Sequence, residues 1–121
     1  MTLPYEPTLH PHVKAVLAMK AFNVVVLDVR ELASFADTFI ICSGRSHRQV
    51  SAIAEFIVHH LKKQGIKPLG VEGLREGHWV LVDYGDVVIH IFYEPIRIFY
   101  DLEGLWSDAK RIEESELKCL K

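Results

Sequence analysis

The chain has 121 residues, half of them apolar and a quarter charged, with 14 Lys and Arg against 16 Asp and Glu. That is the composition of one ordinary globular domain, long enough to bury about two-thirds of its unfolded surface without disulfides or metals. Its longest apolar runs, Val24 to Leu27 and Val87 to Ile89, fall far short of the ~18 residues of a membrane span, and no charged-then-apolar leader opens it, so secretion and membrane insertion are not expected.

Residues 1–11 hold three prolines and no periodicity, which predicts a flexible arm. Val13, Val16, Leu17 and Ala21 then fall at helical spacing behind Thr8 and Pro11 and predict a short helix. Asn23 to Val29 and Thr38 to Cys42, both dense in β-branched residues, read as two strands around a polar break. Ser46 and Gln49 have the spacing of a capping box, after which Val50, Ile53, Ala54, Ile57 and Leu61 line one helix face until Gly65. Ile66 to Val71 reads as a third strand, and strand, helix and strand of this length predict a right-handed parallel crossover. His78 to Asp83 and Val87 to Tyr93 follow as an antiparallel hairpin around Tyr84-Gly85-Asp86. Beyond Pro95, the spacing of Ile98, Leu102, Leu105 and Trp106 predicts an amphipathic helix, or two helical turns interrupted at Gly104, with Leu102 and Leu105 facing inward. The tail from Ser107 is charged and is expected to fray. The expectation is thus an α/β fold: a single domain over 12–109 with a mixed five-stranded sheet flanked by helices, between an arm at 1–11 and a charged tail at 110–121.

Two cysteines make no disulfide framework: Cys42 lies in an apolar strand, where a thiol is inert, and Cys119 lies in the charged tail, as in a reduced cytoplasmic protein. Seven histidines show no His-x-x-x-His pair and no paired cysteines accompany them, so no zinc or other metal site is expected. The net charge of −2 hides a split. Between Val71 and Asp108 stand eight acids and two bases, a balance of −6, while the rest carries +4. Such a half repels phosphate backbones and attracts basic surfaces, which favours a basic protein as partner over sequence-specific nucleic acid.

Three constellations carry functional readings. On the hairpin, Trp79, Leu81, Asp83, Asp86, Val88 and His90 share one face and Val80, Val82, Val87, Ile89 and Ile91 the other. The aliphatic face reads as core. The mixed face either stays open for binding, or pairs Trp79 with His90 while the aspartates shape the turn. Arg97 to Trp106 concentrates aromatics and acids as interface anchors do, with Tyr100, Asp101, Glu103 and Trp106 available to a partner. Ser43-Gly44-Arg45-Ser46 passes from strand to helix, where an anion can bind, although Ser46 serves as a cap without one and no P-loop or dinucleotide spacing is present.

Asp37-Thr-Phe-Ile-Ile-Cys-Ser-Gly, Arg48-Gln-Val, Gly70-Val-Glu-Gly, the run from Trp79 to Phe92, and Arg97 to Trp106 followed by Ser-Asp-Ala resemble, in that order, the ribosomal silencing factor family, RsfS or iojap. The likeness runs from about Asn23 to Ala109. It implies a nucleotidyltransferase-like topology, a homodimer without cofactor or catalysis, and a translation repressor that binds the large ribosomal subunit through ribosomal protein L-fourteen and keeps the small subunit from joining. It also implies a docking surface drawn from Trp79, Asp83, Tyr84, Asp86 and His90 on the hairpin and Tyr100, Asp101, Glu103, Leu105 and Trp106 after it. The alternative is a nucleotidyltransferase-like enzyme or nucleotide-binding domain using the 43–48 turn. Against it, the Asp-x-Asp pairs such enzymes use to hold Mg²⁺ are missing.

Overall fold

The runs of β-branched residues fold into the strands they predict. In the computed structural model, which describes residues 10–118, these are β1 (Phe22–Asp28), β2 (Thr38–Gly44), β4 (Trp79–Asp83) and β5 (Val87–Tyr93). With β3 (Gly70–Glu72) and β6 (Lys110–Glu113) they make one six-stranded sheet in the order β3-β4-β5-β2-β1-β6. The arm predicted at 1–11 lies outside the described residues except for His10 and Pro11, which already open helix α1 (His10–Ala18). Cys119 also lies outside them.

Side chains alternate across the strands and build two cores. One face gathers Val24, Val26, Ile40, Val80, Val82, Ile89 and Ile91 under α1 and α2 (His47–Lys62). The other gathers Val25, Leu27, Phe39, Ile41, Val88 and Phe92 under the short helices α3 (Glu94–Tyr100) and α4 (Leu102–Leu105). Helix α2 is bounded as its sequence predicts. Ser46 Oγ accepts the Gln49 N–H at 3.1 Å, and at the other end Gly65, with φ +81°, lets the Ile66 N–H reach the Leu61 carbonyl at 2.9 Å.

The sheet corrects the sequence reading in three places. The parallel neighbour of β2 is β5, in register from Thr38↔Val87 to Gly44↔Tyr93, and not the segment 66–71. Of that segment only its last two residues enter β3, which hydrogen-bonds to β4 at the sheet edge. The composition explains the exchange: β5, apolar but for His90, is buried on both faces and suits a central position, whereas β3 buries little beyond part of Val71. The 110–118 part of the expected fraying tail is ordered. Strand β6 pairs antiparallel with β1, Val26 opposite Ile112, and α5 (Glu114–Lys118) buries Leu117 completely. Two apolar residues in a charged stretch are enough to cover the edge of β1.

The third correction concerns 94–106. The helical stripe breaks at Asp101, not at Gly104: Asp101 adopts φ +47° and its carboxylate caps α4 by accepting the Gly104 N–H at 3.2 Å. A Cβ on residue 104 would stand 2.2 Å from Asp101 Oδ2, so glycine is what lets the cap close. The break rotates Ile98 and Leu105 out to solvent, while Leu102 stays inward as predicted and Ile96 and Trp106 join it.

Candidate docking surface

The mixed hairpin face is closed. Trp79 lies against Phe92 with ring centroids 4.7 Å apart and donates its indole Nε1–H to His90 Nδ1 at 3.1 Å. Phe39 stands edge-on to His90 at 5.0 Å, and Trp106 edge-on to Phe39 at 5.3 Å. His90 is 4% exposed, and burial pushes its pKa down to about 4, so the imidazole is neutral and lies under the surface rather than on it. The pairing of Trp79 with His90, one of the two readings of this face, is the arrangement present.

The other hairpin residues fall elsewhere. Asp83 Oδ1 accepts the Gly85 N–H at 2.7 Å and shapes the turn, where Asp86 is exposed. Tyr84 turns to the opposite face of the sheet, its ring 4.9 Å from that of His12, and burial pushes its hydroxyl up to about 12. Four residue steps separate Trp79 from Asp83, roughly 13 Å of extended strand. The hairpin residues therefore form two groups. Trp79 borders Tyr100 at 5.3 Å, while Asp83, Tyr84 and Asp86 sit at the far end of the strand.

What α3 and α4 present outward is apolar and acidic together. Ile98, Phe99, Tyr100 and Leu105 are exposed, Phe99 by 79% and Leu105 by 77%. Asp101 is exposed beside them and Glu103 half-buried. Trp106 is half-buried as well, edge-on to buried Phe39 and to exposed Phe35. Ile98 and Leu105, which the helical spacing puts in the apolar stripe, stand on the surface, and nothing short of the Asp101 break distinguishes them from its inward members.

Arg97, the one base between Glu94 and Asp108, pins this surface to the sheet. It is 6% exposed. Its Nε donates to Glu103 Oε1 at 2.7 Å, and its Nη1 to the Asn23 carbonyl at 2.8 Å and Ser43 Oγ at 2.7 Å. Ser43 Oγ in turn donates to Glu94 Oε1 at 2.8 Å, and Asn23, in a left-handed conformation at φ +52°, donates Nδ2 to Glu94 Oε2 at 2.9 Å. Arg111 of β6 reaches Glu103 Oε2 at 3.1 Å. Burial raises the pKa of Glu103, but the hydrogen bonds and charges of Arg97 and Arg111 outweigh it and hold the carboxyl below its ordinary value. Two of the acids in the charge pattern, Glu94 and Glu103, are thus used within the chain to tie α3 and α4 down.

The strand-to-helix turn offers no comparable site. The Arg45 N–H is taken by Gln49 Oε1 at 2.5 Å, the Ser46 hydroxyl caps α2, and Ser43 belongs to the Arg97 network. Burial pushes the Cys42 thiol up to about 12, an inert state. No helix among the described residues is long and apolar enough to cross a membrane.

The family model described as "Ribosomal silencing factor during starvation" matches residues 3–120. The ribosomal silencing factor RsfS of Halalkalibacterium halodurans is 44% identical over 101 residues, 84% of this chain and 86% of that one. A chloroplastic Iojap protein of Zea mays is 37% identical over 83% of this chain and 43% of its own length. A crystal structure of a Chromobacterium violaceum protein superposes with a TM-score of 0.78 at 38% identity, covering 81% of this chain and 82% of that one. The matched span takes in β6 and α5 as well as the sheet, and the chain belongs to the ribosomal silencing factor family, a family of regulators and not of enzymes.

Proposed function

We propose that this protein represses translation by binding the large ribosomal subunit through ribosomal protein L-fourteen and excluding the small subunit sterically. The observation that carries the reading is the exposed set Ile98, Phe99, Tyr100 and Leu105 beside Asp101, an apolar patch with an exposed acid at its side. Exposed apolar anchors suit a stable contact, and the acid beside them suits a basic partner. Trp79 joins this surface through Tyr100, with Glu103 and Trp106 supporting it from below. Asp83 and Asp86 offer a second, purely electrostatic contact at the hairpin tip. The same reading carries a nucleotidyltransferase-like descent for the sheet, action in the cytoplasm and self-association to a homodimer, which light scattering over a concentration series measures.

Sedimentation with separated ribosomal subunits tests the proposal. The protein is expected to travel with the large subunit and to deplete joined ribosomes in proportion to occupancy. Protein that stays at the top of the gradient would overturn it.

A further inference from the structure

The fold brings together two histidines that lie 31 positions apart in the chain. His78 Nδ1 and His47 Nε2 stand 3.1 Å from each other on the surface. The backbone is fixed at both. His47 opens α2 directly after the Ser46 cap, and the Tyr93 ring lies across it at 4.4 Å and 72°. His78 is anchored by its carbonyl, which accepts the Tyr93 N–H at 2.9 Å, and the loop before it is tied to α2 by Ser51 Oγ donating to the Leu74 carbonyl at 2.7 Å. Gly77 presses against α2 so closely that a Cβ there would stand 2.3 Å from the His47 carbonyl oxygen.

We propose that His47 and His78 form a two-imidazole site for a borderline divalent cation, zinc above all. Zinc binds imidazole nitrogen at about 2.0–2.1 Å, so two nitrogens on one ion lie roughly 3.0–3.4 Å apart, and the observed separation falls within that bite. Without metal, one ring donates an N–H to the other's lone pair. With metal, both rings stay neutral: the donor ring moves its hydrogen to its other nitrogen, so that His78 carries it on Nε2 and His47 on Nδ1, and both inner lone pairs turn to the ion. No bond is made or broken beyond these. Among the described residues no group of three or more His, Cys, Asp or Glu side chains is placed to hold a metal, so the two imidazoles would be the ion's protein ligands and water would complete its coordination. The inference is independent of any ribosomal partner.

Titration of the full chain with zinc alone, followed by imidazole nitrogen resonances, tests it. One equivalent is expected to shift the His47 and His78 nitrogens together. His47→Ala and His78→Ala are each expected to lower the affinity at least tenfold, and His59→Ala and His60→Ala, on the same helix, to leave it unchanged. Absence of binding, binding unaltered in either of the first two variants, or shifts at His59 and His60 instead would overturn the site. Circular dichroism reports whether each variant is folded, and His47→Gln and His78→Gln, which keep side-chain bulk, give the reading if an alanine variant is not.

Discussion

Trp79 donates its indole hydrogen to His90 Nδ1 at 3.1 Å across the diagonal of the hairpin, since the strand register sets Trp79 opposite Phe92 and His90 opposite Leu81. Because an indole can only donate, His90 Nδ1 must accept, and the imidazole carries its hydrogen on Nε2. That nitrogen is buried with no hydrogen-bond partner among the described residues. Protonation would add a second charged donor to an aromatic core, and burial accordingly lowers the pKa from 6.5 to about 4.

Stability is therefore expected to fall with acid. A histidine whose folded pKa is depressed contributes stability that is fully present above its unfolded pKa, near 6.5, and lost as pH drops toward its folded value of about 4. The full loss is on the order of 3 kcal/mol. Urea midpoints measured from pH 7.5 to 4.5 should decline. His90→Gln should remove most of that slope, and an unchanged slope would mean that other groups produce it.

Arg97→Met should be costly, since it leaves half-buried Glu103 with Arg111 alone and takes the donor from both the Asn23 carbonyl and the buried Ser43 hydroxyl. Removing one partner of such a network costs about 3–5 kcal/mol. Arg97→Lys should recover only part of this, because an ammonium cannot span Glu103, Asn23 and Ser43 as a guanidinium does. Chemical denaturation with Trp106 fluorescence as the local probe would measure both.

At the α3–α4 junction, Asp101→Ala should cost about 1–2 kcal/mol, from a lost cap and a left-handed backbone that alanine tolerates poorly. Asp101→Gly should cost less, since glycine adopts that conformation freely. Gly104→Ala should resemble Asp101→Ala, and the double variant should fall well short of the sum of the two. Thermal denaturation of all four proteins would decide, and strict additivity would show that the two residues do not act as one cap.

The docking proposal predicts a separation of stability from binding. Phe99→Ala and Leu105→Ala remove exposed side chains and should change stability by no more than about 0.5 kcal/mol, while weakening large-subunit binding at least tenfold. Asp83→Lys with Asp86→Lys should mainly alter the salt dependence of that binding. Trp106→Ala should instead destabilise, because its ring packs on Phe39. Sedimentation of each variant alongside its denaturation curve gives both readouts; binding that survives the Phe99 and Leu105 changes would move the interface elsewhere.

The sequence by itself determined the elements with a local physical cause. The cap at Ser46 and the stop at Gly65 bound α2, the β-branched runs make β1, β2, β4 and β5, and Gly85 turns the hairpin, since each signal acts within a few residues. Family kinship was also legible, carried by ordered blocks from Asp37 to Ala109. Only the tertiary structure decided which strand lies beside β2, because that choice compares the burial of distant segments. It also decided that 110–118 completes the sheet, where Ile112 and Leu117 gain their value only once β1 and the core beside it exist to receive them. The docking surface divides the same way. The density of aromatics and acids after Arg97 marked the region, but the left-handed turn at Asp101 chose which side chains face out, and a network spanning three strands and two helices turned Arg97 and Glu103 inward.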